Sequence, residues 1–225
     1  MSLVAKDSGG EGSFTPVPPG MHLARCYRVV DLGTQKTEWQ GQTKYLSKVM
    51  IQFEVHGEDE SGKALVTSKG EPMSISKNYT LSLAEKATLR KDLQAWRGRD
   101  FTPDELRGFE LKNILGAWAM ISVAKSMGNN GKEYTNIMSV NPVLAAIKKA
   151  GLPEGFNKPA IFSIADADME LFETFGKGLK EKIMASPEWQ EREGREYAKA
   201  ESASGAARHA NTGTGFDDME DDIPF

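Results

Sequence analysis

The order of its extended segments constrains the fold of this chain more than any other feature of the sequence. Three segments with the composition of β-strands come first, HLARCYRVVDLG, KYLSKVMIQFEV and MSISKNYTLSL. A segment with helical spacing, AEKATLRKDLQAW, separates them from two further strand-like segments, AWAMISVAKS and YTNIMSV. Short alternating runs bounded by Gly, Asn and Pro are typical of antiparallel strands joined by turns. We therefore predict a mainly β domain over residues 20–150, with five strands and a helix between the third and the fourth.

The same order of elements is found in the OB-fold, a small five-stranded Greek-key barrel, although another small β-rich domain would also satisfy it. The helix is expected to run from Ala84 to Trp96, with Ser82 as its N-cap and Gly98 as its end. Its apolar residues recur at helical spacing, so they would fill one end of the barrel: Leu89, Leu93 and Trp96.

The sequence predicts where the first strand ends and which way Tyr45 of the second strand faces. Asp31 and Gly33 predict that the first strand stops there, so that the polar stretch TQKTEWQGQT forms a loop with Trp39 at its centre. In the second strand Tyr45 alternates in phase with Val49, which slightly favours a core position for the tyrosine.

Four further regions flank the predicted barrel. Residues 1–19 are rich in Gly, Ser and Pro and are expected to form a flexible arm. Residues 151–189 form a helical extension, with one helix from about Asp168 to Ala185 that packs on the barrel or on another subunit. Residues 190–216 have almost no bulky side chains, which is typical of a flexible linker. Residues 217–225 are expected to form a disordered, acidic tail for protein interaction.

Charge is distributed unevenly between the body and the tail. The last nine residues hold five carboxylate side chains and no Lys or Arg. Removing these five from the 32 Asp and Glu residues leaves 27, against 28 Lys and Arg residues. Residues 20–150 alone contain 19 Lys and Arg against 14 Asp and Glu. A mildly basic body can bind a polyanion, while the apolar end of the tail is suited to being held by a partner protein.

The sequence contains no convincing catalytic or metal-binding set, so we expect no enzyme activity, no cofactor and no metal. Its three His residues lie in a strand, a loop and the linker, and it lacks CxxC and HExxH motifs. Its only cysteine, Cys26, is expected to be a buried thiol and fits a reducing cytoplasm. No apolar run approaches the roughly 18 residues that cross a membrane.

Aromatic and basic residues interleave along the strands where an OB barrel would bind nucleic acid. Single-stranded nucleic acid is bound by aromatic rings that stack on bases and by cations that neutralise phosphates. We therefore predict a DNA-binding surface with these residues: Lys36, Trp39, Lys44, Tyr45, Lys48, Lys77, Tyr79, Trp118, Lys125, Lys132 and Tyr134. A core position is the alternative for Trp118, Tyr79 and Tyr45. An ordinary surface charge is the alternative for each lysine.

The ending Asp221-Asp222-Ile223-Pro224-Phe225, preceded by a low-complexity stretch, resembles the acidic tip of bacterial single-stranded DNA-binding proteins. The segments FTPVPPGMHLARCYRVVDLGTQ and ASPEW resemble a group of bacteriophage single-stranded DNA-binding proteins of the same architecture. The resemblance implies a barrel that coats single-stranded DNA during phage DNA replication, recombination and repair in the cytoplasm of a bacterial host. It also implies that Asp221, Asp222, Ile223, Pro224 and Phe225 recruit replication and repair proteins.

Three features depart from the bacterial pattern: a charged connection at residues 56–72, the extra helix and a short linker. They leave open whether the chain forms a homo-oligomer and which residues contact DNA. Two other functions also remain open, a recombination mediator that anneals strands and a protein-interaction module that binds no nucleic acid. Stacking surfaces accept both DNA and RNA, so the sequence does not separate the two.

Overall fold

The computed structural model describes residues 15–39, 41–59, 61–128, 131 and 133–196, except for the side chain of Trp39. The strands are β1 (Gly20–Trp39), β2 (Gln42–His56), β3 (Ser74–Thr80), β4 (Trp118–Met127), β5 (Glu133–Asn141) and β6 (Ala160–Phe162). The helices are α1 (Thr88–Arg97), α2 (Pro103–Arg107), α3 (Ala145–Ala150), α4 (Met169–Glu173), α5 (Lys177–Met184) and α6 (residues 187–196). The predicted order of three strands, a helix and two strands is confirmed. Among the described residues, no helix is long and apolar enough to cross a membrane.

The sheet is open and mainly antiparallel, with the strand order β3-β2-β1-β4-β5. β1 lies at its centre, because it pairs with β2 along most of its length and with β4 over residues 20–25. β6 adds a short parallel pairing to residues 28–30 of β1. The two outer strands approach each other through a side chain, since Lys77 Nζ on β3 donates a hydrogen bond to the Met138 carbonyl on β5 at 3.3 Å. Within the described part of the chain, no backbone ladder joins β3 to β5.

The prediction that Asp31 and Gly33 end the first strand is wrong, because β1 continues to Trp39. The two residues instead form a β-bulge, where the register with β2 shifts between them. Gly33 has a φ of +63°, a left-handed conformation that glycine adopts without a Cβ clash. Its amide donates a hydrogen bond to Asp31 Oδ1 at 2.9 Å. The predicted loop is therefore the outer part of a long hairpin, which closes between Trp39 and Gln42.

The main core gathers apolar side chains from β1 to β5 and from α1. The helix residues predicted to fill it are buried: Leu89, Leu93 and Trp96. Gly98 ends α1 in a left-handed conformation, as predicted. The predicted start of the helix is wrong, because α1 begins at Thr88 without a side-chain cap. Ser82 forms a turn of its own instead, in which its Oγ accepts a hydrogen bond from the Ala84 amide at 3.1 Å.

A second cluster forms where the C-terminal extension packs on the other face of β1 and β2. The apolar side chains that meet there are Val30, Leu32, Met50, Phe162, Ile164, Phe172, Phe175, Ile183 and Trp189. The single helix predicted between Asp168 and Ala185 is wrong, because α4 ends at Glu173 and Gly176 precedes α5 with extended backbone. We call the nine apolar side chains that meet on this face the outer cluster. Because they come from both the strands and the extension, the extension packs on its own chain.

The structure describes parts of two regions that were predicted to be flexible. Val17, in the predicted N-terminal arm, is buried in the main core. Residues 190–196 of the predicted linker belong to α6. Residues 1–14, the remainder of the linker and the acidic tail at 217–225 lie outside the described residues.

Candidate nucleic-acid interface

The outer parts of β1 and β2 form a largely exposed two-stranded element, described over residues 33–39 and 41–48, which we call the β1–β2 hairpin. Lys36 pairs directly with Tyr45 across it. Directly opposed residues share a face, with Cβ atoms about 4.5–5.5 Å apart. Tyr45 is 67% exposed, and the Lys36 side chain is 57% exposed. The hairpin thus places an aromatic ring and a cation side by side in solvent, and Tyr45 takes no part in the core.

Among the described residues, Lys36 forms an ion pair with one surface carboxylate. Its Nζ lies 2.8 Å from Glu38 Oε1, and both side chains are largely exposed. An exposed pair of this kind contributes about 0–1 kcal/mol, because water and salt screen it. A phosphate can therefore compete for the ammonium group without the loss of a buried contact.

Three other predicted residues belong to the same hairpin. Lys44 is exposed on the face opposite Tyr45, since successive strand residues alternate. Lys48 lies at the base, where its Nζ donates a hydrogen bond to Thr80 Oγ1 at 2.8 Å and burial lowers its pKa. Trp39 is the last residue of β1, and its side chain lies outside the described part of the structure.

The side chains of Lys77 and Tyr79 point from β3 toward α1. The Tyr79 hydroxyl donates a hydrogen bond to Asp92 Oδ2 at 2.9 Å, and Lys77 Nζ lies 2.7 Å from the same oxygen. Tyr79 is 3% exposed, and its burial, reinforced by the Asp92 charge, raises its pKa. The two side chains therefore join β3 to α1. Tyr79 occupies a core position, which was the alternative that the sequence left open.

Trp118 lies far from the β1–β2 hairpin along the sheet. It pairs with Arg25 near the start of β1, and its half-buried ring is 4.8 Å from the His56 ring. It borders a cavity of about 470 Å³ that Arg97 and Arg99 also line. The structure therefore separates Trp118 from Tyr45, although the sequence placed both on one surface.

The two arginines of this cavity are already paired. Arg99 Nη2 lies 2.8 Å from Glu105 Oε1, and Arg97 forms a second ion pair with the same carboxylate. These contacts, led by the hydrogen bond from Arg99, hold the pKa of Glu105 at about 2. The Arg97 guanidinium also lies 4.5 Å from the centre of the Phe101 ring. Both arginines therefore have a structural role as ion-pair partners of Glu105.

The ends of β4 and β5 form a second exposed element, residues 125–127 and 133–135 of the described chain, which we call the β4–β5 hairpin. Lys125 Nζ lies 3.0 Å from Glu133 Oε2, and Tyr134 is 46% exposed. β4 runs antiparallel to β1, with Val123 opposite Gly20. The two hairpins therefore extend from opposite ends of β1. Lys132 lies outside the described residues.

Arg28 is a cation on the sheet that was not among the predicted site residues. Arg28 lies on β1 directly opposite Gln52, and its guanidinium is 5.3 Å from the ring centres of Tyr27 and Phe175. No ion pair of Arg28 is found among the described residues. Its place between a strand tyrosine and a helix of the extension depends on tertiary packing. Only the adjacent Tyr27-Arg28 pair in the sequence could have suggested it.

Comparison with known proteins adds no family assignment. No protein-family model matches the chain. No curated protein sequence matches it either. Function must therefore be argued from the residues and contacts of the chain itself.

Proposed function

We propose that this protein binds single-stranded DNA without sequence preference and protects it during phage DNA replication, recombination and repair. The observation that carries the proposal is the Lys36–Tyr45 pair on the β1–β2 hairpin. A tyrosine that is mostly exposed in the middle of a strand contributes little to folding. It is well placed to stack on a base while the neighbouring ammonium group neutralises a phosphate.

An OB-type barrel is part of the proposal. The strand order β3-β2-β1-β4-β5, the helix between β3 and β4, and the contact between the outer strands support it. Barrels of this kind bind extended strands on one face and on the adjoining loops. The β1–β2 hairpin is the connection between the first two strands and would belong to that binding region.

The energetics favour binding without base readout. Each base that stacks on an aromatic ring contributes about 1–3 kcal/mol, and every base offers a suitable face. Each phosphate neutralised on a single strand contributes a slope of about −0.7 to the dependence of log K on log salt. Lys36 and Lys44 lie on opposite faces of the hairpin, so a strand that wraps its edge could meet both.

The experiment is a fluorescence-anisotropy titration of labelled dT oligomers of increasing length at several salt concentrations. Wild type should bind with a negative salt slope, and Tyr45→Ala should weaken binding by about 1–3 kcal/mol. Tyr45→Phe keeps the ring and is the matched control, so it should bind nearly as wild type does. Absence of wild-type binding in dilute buffer would overturn the proposal.

The tail is proposed to recruit partner proteins through Asp221, Asp222, Ile223, Pro224 and Phe225. A proline biases the residue before it toward extended geometry, so Pro224 would lower the entropy that Ile223 loses on binding. Phe225 offers an aromatic ring close in sequence to Asp221 and Asp222, a combination suited to an apolar pocket with a basic rim. The neighbouring carboxylates would speed the encounter with such a rim in a salt-dependent way.

A further inference from the structure

The C-terminal extension holds the base of the β1–β2 hairpin through a carboxylate. Glu188 Oε2 accepts a hydrogen bond from the Thr34 amide at 2.8 Å, and Glu188 Oε1 accepts one from Thr34 Oγ1 at 2.5 Å. A third hydrogen bond joins Gln35 Nε2 to the Lys182 carbonyl at 2.9 Å. Burial alone would raise the pKa of Glu188, and the two hydrogen bonds from Thr34 outweigh it and lower that pKa. Both oxygens of this carboxylate are thus committed to one residue of the hairpin.

The contacts of Glu188 lie at a point along β1 that the neighbouring strands β4 and β6 do not reach. β4 pairs with residues 20–25 and β6 with residues 28–30, so the described structure provides no strand beside Thr34 on that edge. β3 reaches only as far as Lys48 on the other side. The hairpin beyond this point has two strands, and an isolated two-stranded hairpin is marginally stable in water. Glu188 therefore takes the place of a neighbouring strand on the β1 side of the hairpin. On the β2 side, the Leu81 amide just beyond β3 still donates a hydrogen bond to the Ser47 carbonyl at 2.8 Å.

The β-bulge at Gly33 provides the space for the extension. A Cβ on Gly33 would lie 2.5 Å from Ser186 Cβ, and Ser186 is fully buried. Ser186 is fixed in turn, since its Oγ donates a hydrogen bond to the Ile183 carbonyl at 2.6 Å. Glycine at position 33 thus serves two purposes, the left-handed backbone and the close approach of the helix that carries Glu188.

We propose that Glu188 is a positioning residue for single-stranded DNA binding: it fixes the β1–β2 hairpin in one orientation, so that Tyr45 and Lys36 are presented without prior ordering. The inference rests on the proposed function. A ligand that must order a loose hairpin loses affinity to conformational entropy, whereas one that meets a braced hairpin does not. Glu188 does not itself touch the nucleic acid in this scheme.

The test compares Glu188→Gln with Glu191→Gln, which removes the same charge from an exposed position three residues further along α6. Both substitutions make the protein less negative and so favour DNA electrostatically. Hydrogen–deuterium exchange of residues 33–48 and dT affinity are measured for both variants. Glu188→Gln should speed exchange in the hairpin and lower affinity about two- to tenfold, the cost of ordering roughly one side chain. Its salt slope should equal that of wild type, because no phosphate contact is lost.

Gly33→Ala is the second variant, since its Cβ would lie 2.5 Å from Ser186 Cβ and 2.8 Å from Glu188 Oε2 and would push the extension away while the charge of Glu188 is kept. It should speed exchange in the same residues and lower dT affinity with an unchanged slope. Normal hairpin exchange in both variants, or fast exchange with affinity equal to that of Glu191→Gln, would overturn the inference. Failure of the proposed function gives a different result: wild type then ignores dT, and the positioning role falls with it whatever the exchange data show.

Discussion

The two exposed hairpins are alike in composition and different in support. Each carries a tyrosine and a lysine in solvent, Tyr45 with Lys36 on one and Tyr134 with Lys125 on the other. The base of the β1–β2 hairpin is bound by Glu188 and rests on the outer cluster, whereas the contacts of the extension described above do not go to the β4–β5 hairpin. Exposure makes an aromatic ring accessible, and bracing makes its position constant. We therefore expect the braced hairpin to dominate DNA affinity.

The largest effect should come from removing the outer cluster while the main core is left intact. Trp189 is 2% exposed, and Trp→Ala at such a site costs about 3–5 kcal/mol. Trp189→Ala should abolish exchange protection in residues 33–48 and leave that of residues 125–135 largely unchanged. Hydrogen–deuterium exchange with mass spectrometry measures both hairpins in one experiment.

Trp96→Ala is the matched control, because Trp96 is a similarly buried tryptophan of the main core. It should destabilise the whole sheet and reduce protection in both hairpins together. If Trp189→Ala also affected the two hairpins equally, the outer cluster would be part of one cooperative unit and the contrast between the hairpins would disappear.

Local sequence patterns predicted the elements of this sheet better than their ends. The five strands and the helix after the third could be read from alternation, because each buries one face. The prediction that Gly98 ends the helix is confirmed, because a helix end commonly uses a left-handed glycine whatever its tertiary surroundings. Gly33 has a similar backbone conformation, and the prediction that it ends a strand is wrong. A bulge and a turn both use such a glycine, and only the partner strand distinguishes them.

The candidate site was harder to predict, because exposure depends on where the core stops. Tyr45 has the same alternation as Val49, and it is exposed only because the hairpin extends past the core. Tyr79 looks equally suitable for stacking, and it is buried against Asp92. The hydrogen bond that the Thr34 amide donates to Glu188 joins residues 154 positions apart, so no local pattern could have revealed it. The sequence therefore indicated the kinds of side chain, and tertiary packing decided which of them reach solvent.

The next effect concerns the two tyrosines directly. Tyr45→Ala should weaken dT binding by about 1–3 kcal/mol, the contribution of one stacked base. Tyr134→Ala should weaken it by less than about 1 kcal/mol, because Glu188 bonds Thr34 of the β1–β2 hairpin, and ordering the other hairpin on binding offsets part of the stacking energy. Anisotropy titrations at one salt concentration give both values. A larger loss for Tyr134→Ala would reverse the assignment of the dominant hairpin.

A smaller effect is expected from charge. Lys44→Ala should reduce the salt slope by about 0.7, since one phosphate contact is lost, and should weaken binding to all dT oligomers alike. Lys125→Ala removes a cation already paired with Glu133 and should change the slope less. Thermal unfolding should be nearly unchanged in both variants, because exposed ion pairs contribute about 0–1 kcal/mol to stability. Equal slopes for the two variants would show that both hairpins contact phosphate.

The smallest effect should appear on acidification. The pKa of Glu188 lies below its ordinary value of 4.5 in the folded protein, so its stabilising contribution is fully present above pH 4.5. That contribution is lost as the pH falls through the folded pKa, because the protonated carboxyl can no longer accept both hydrogen bonds from Thr34. Protection of residues 33–48 should therefore fall below pH 4.5 relative to that of residues 125–135, as measured by amide exchange corrected for intrinsic rates. Glu188→Gln cannot titrate at this position and should show the loosened hairpin at every pH, so a wild-type difference that persisted in this variant would assign the transition to another group.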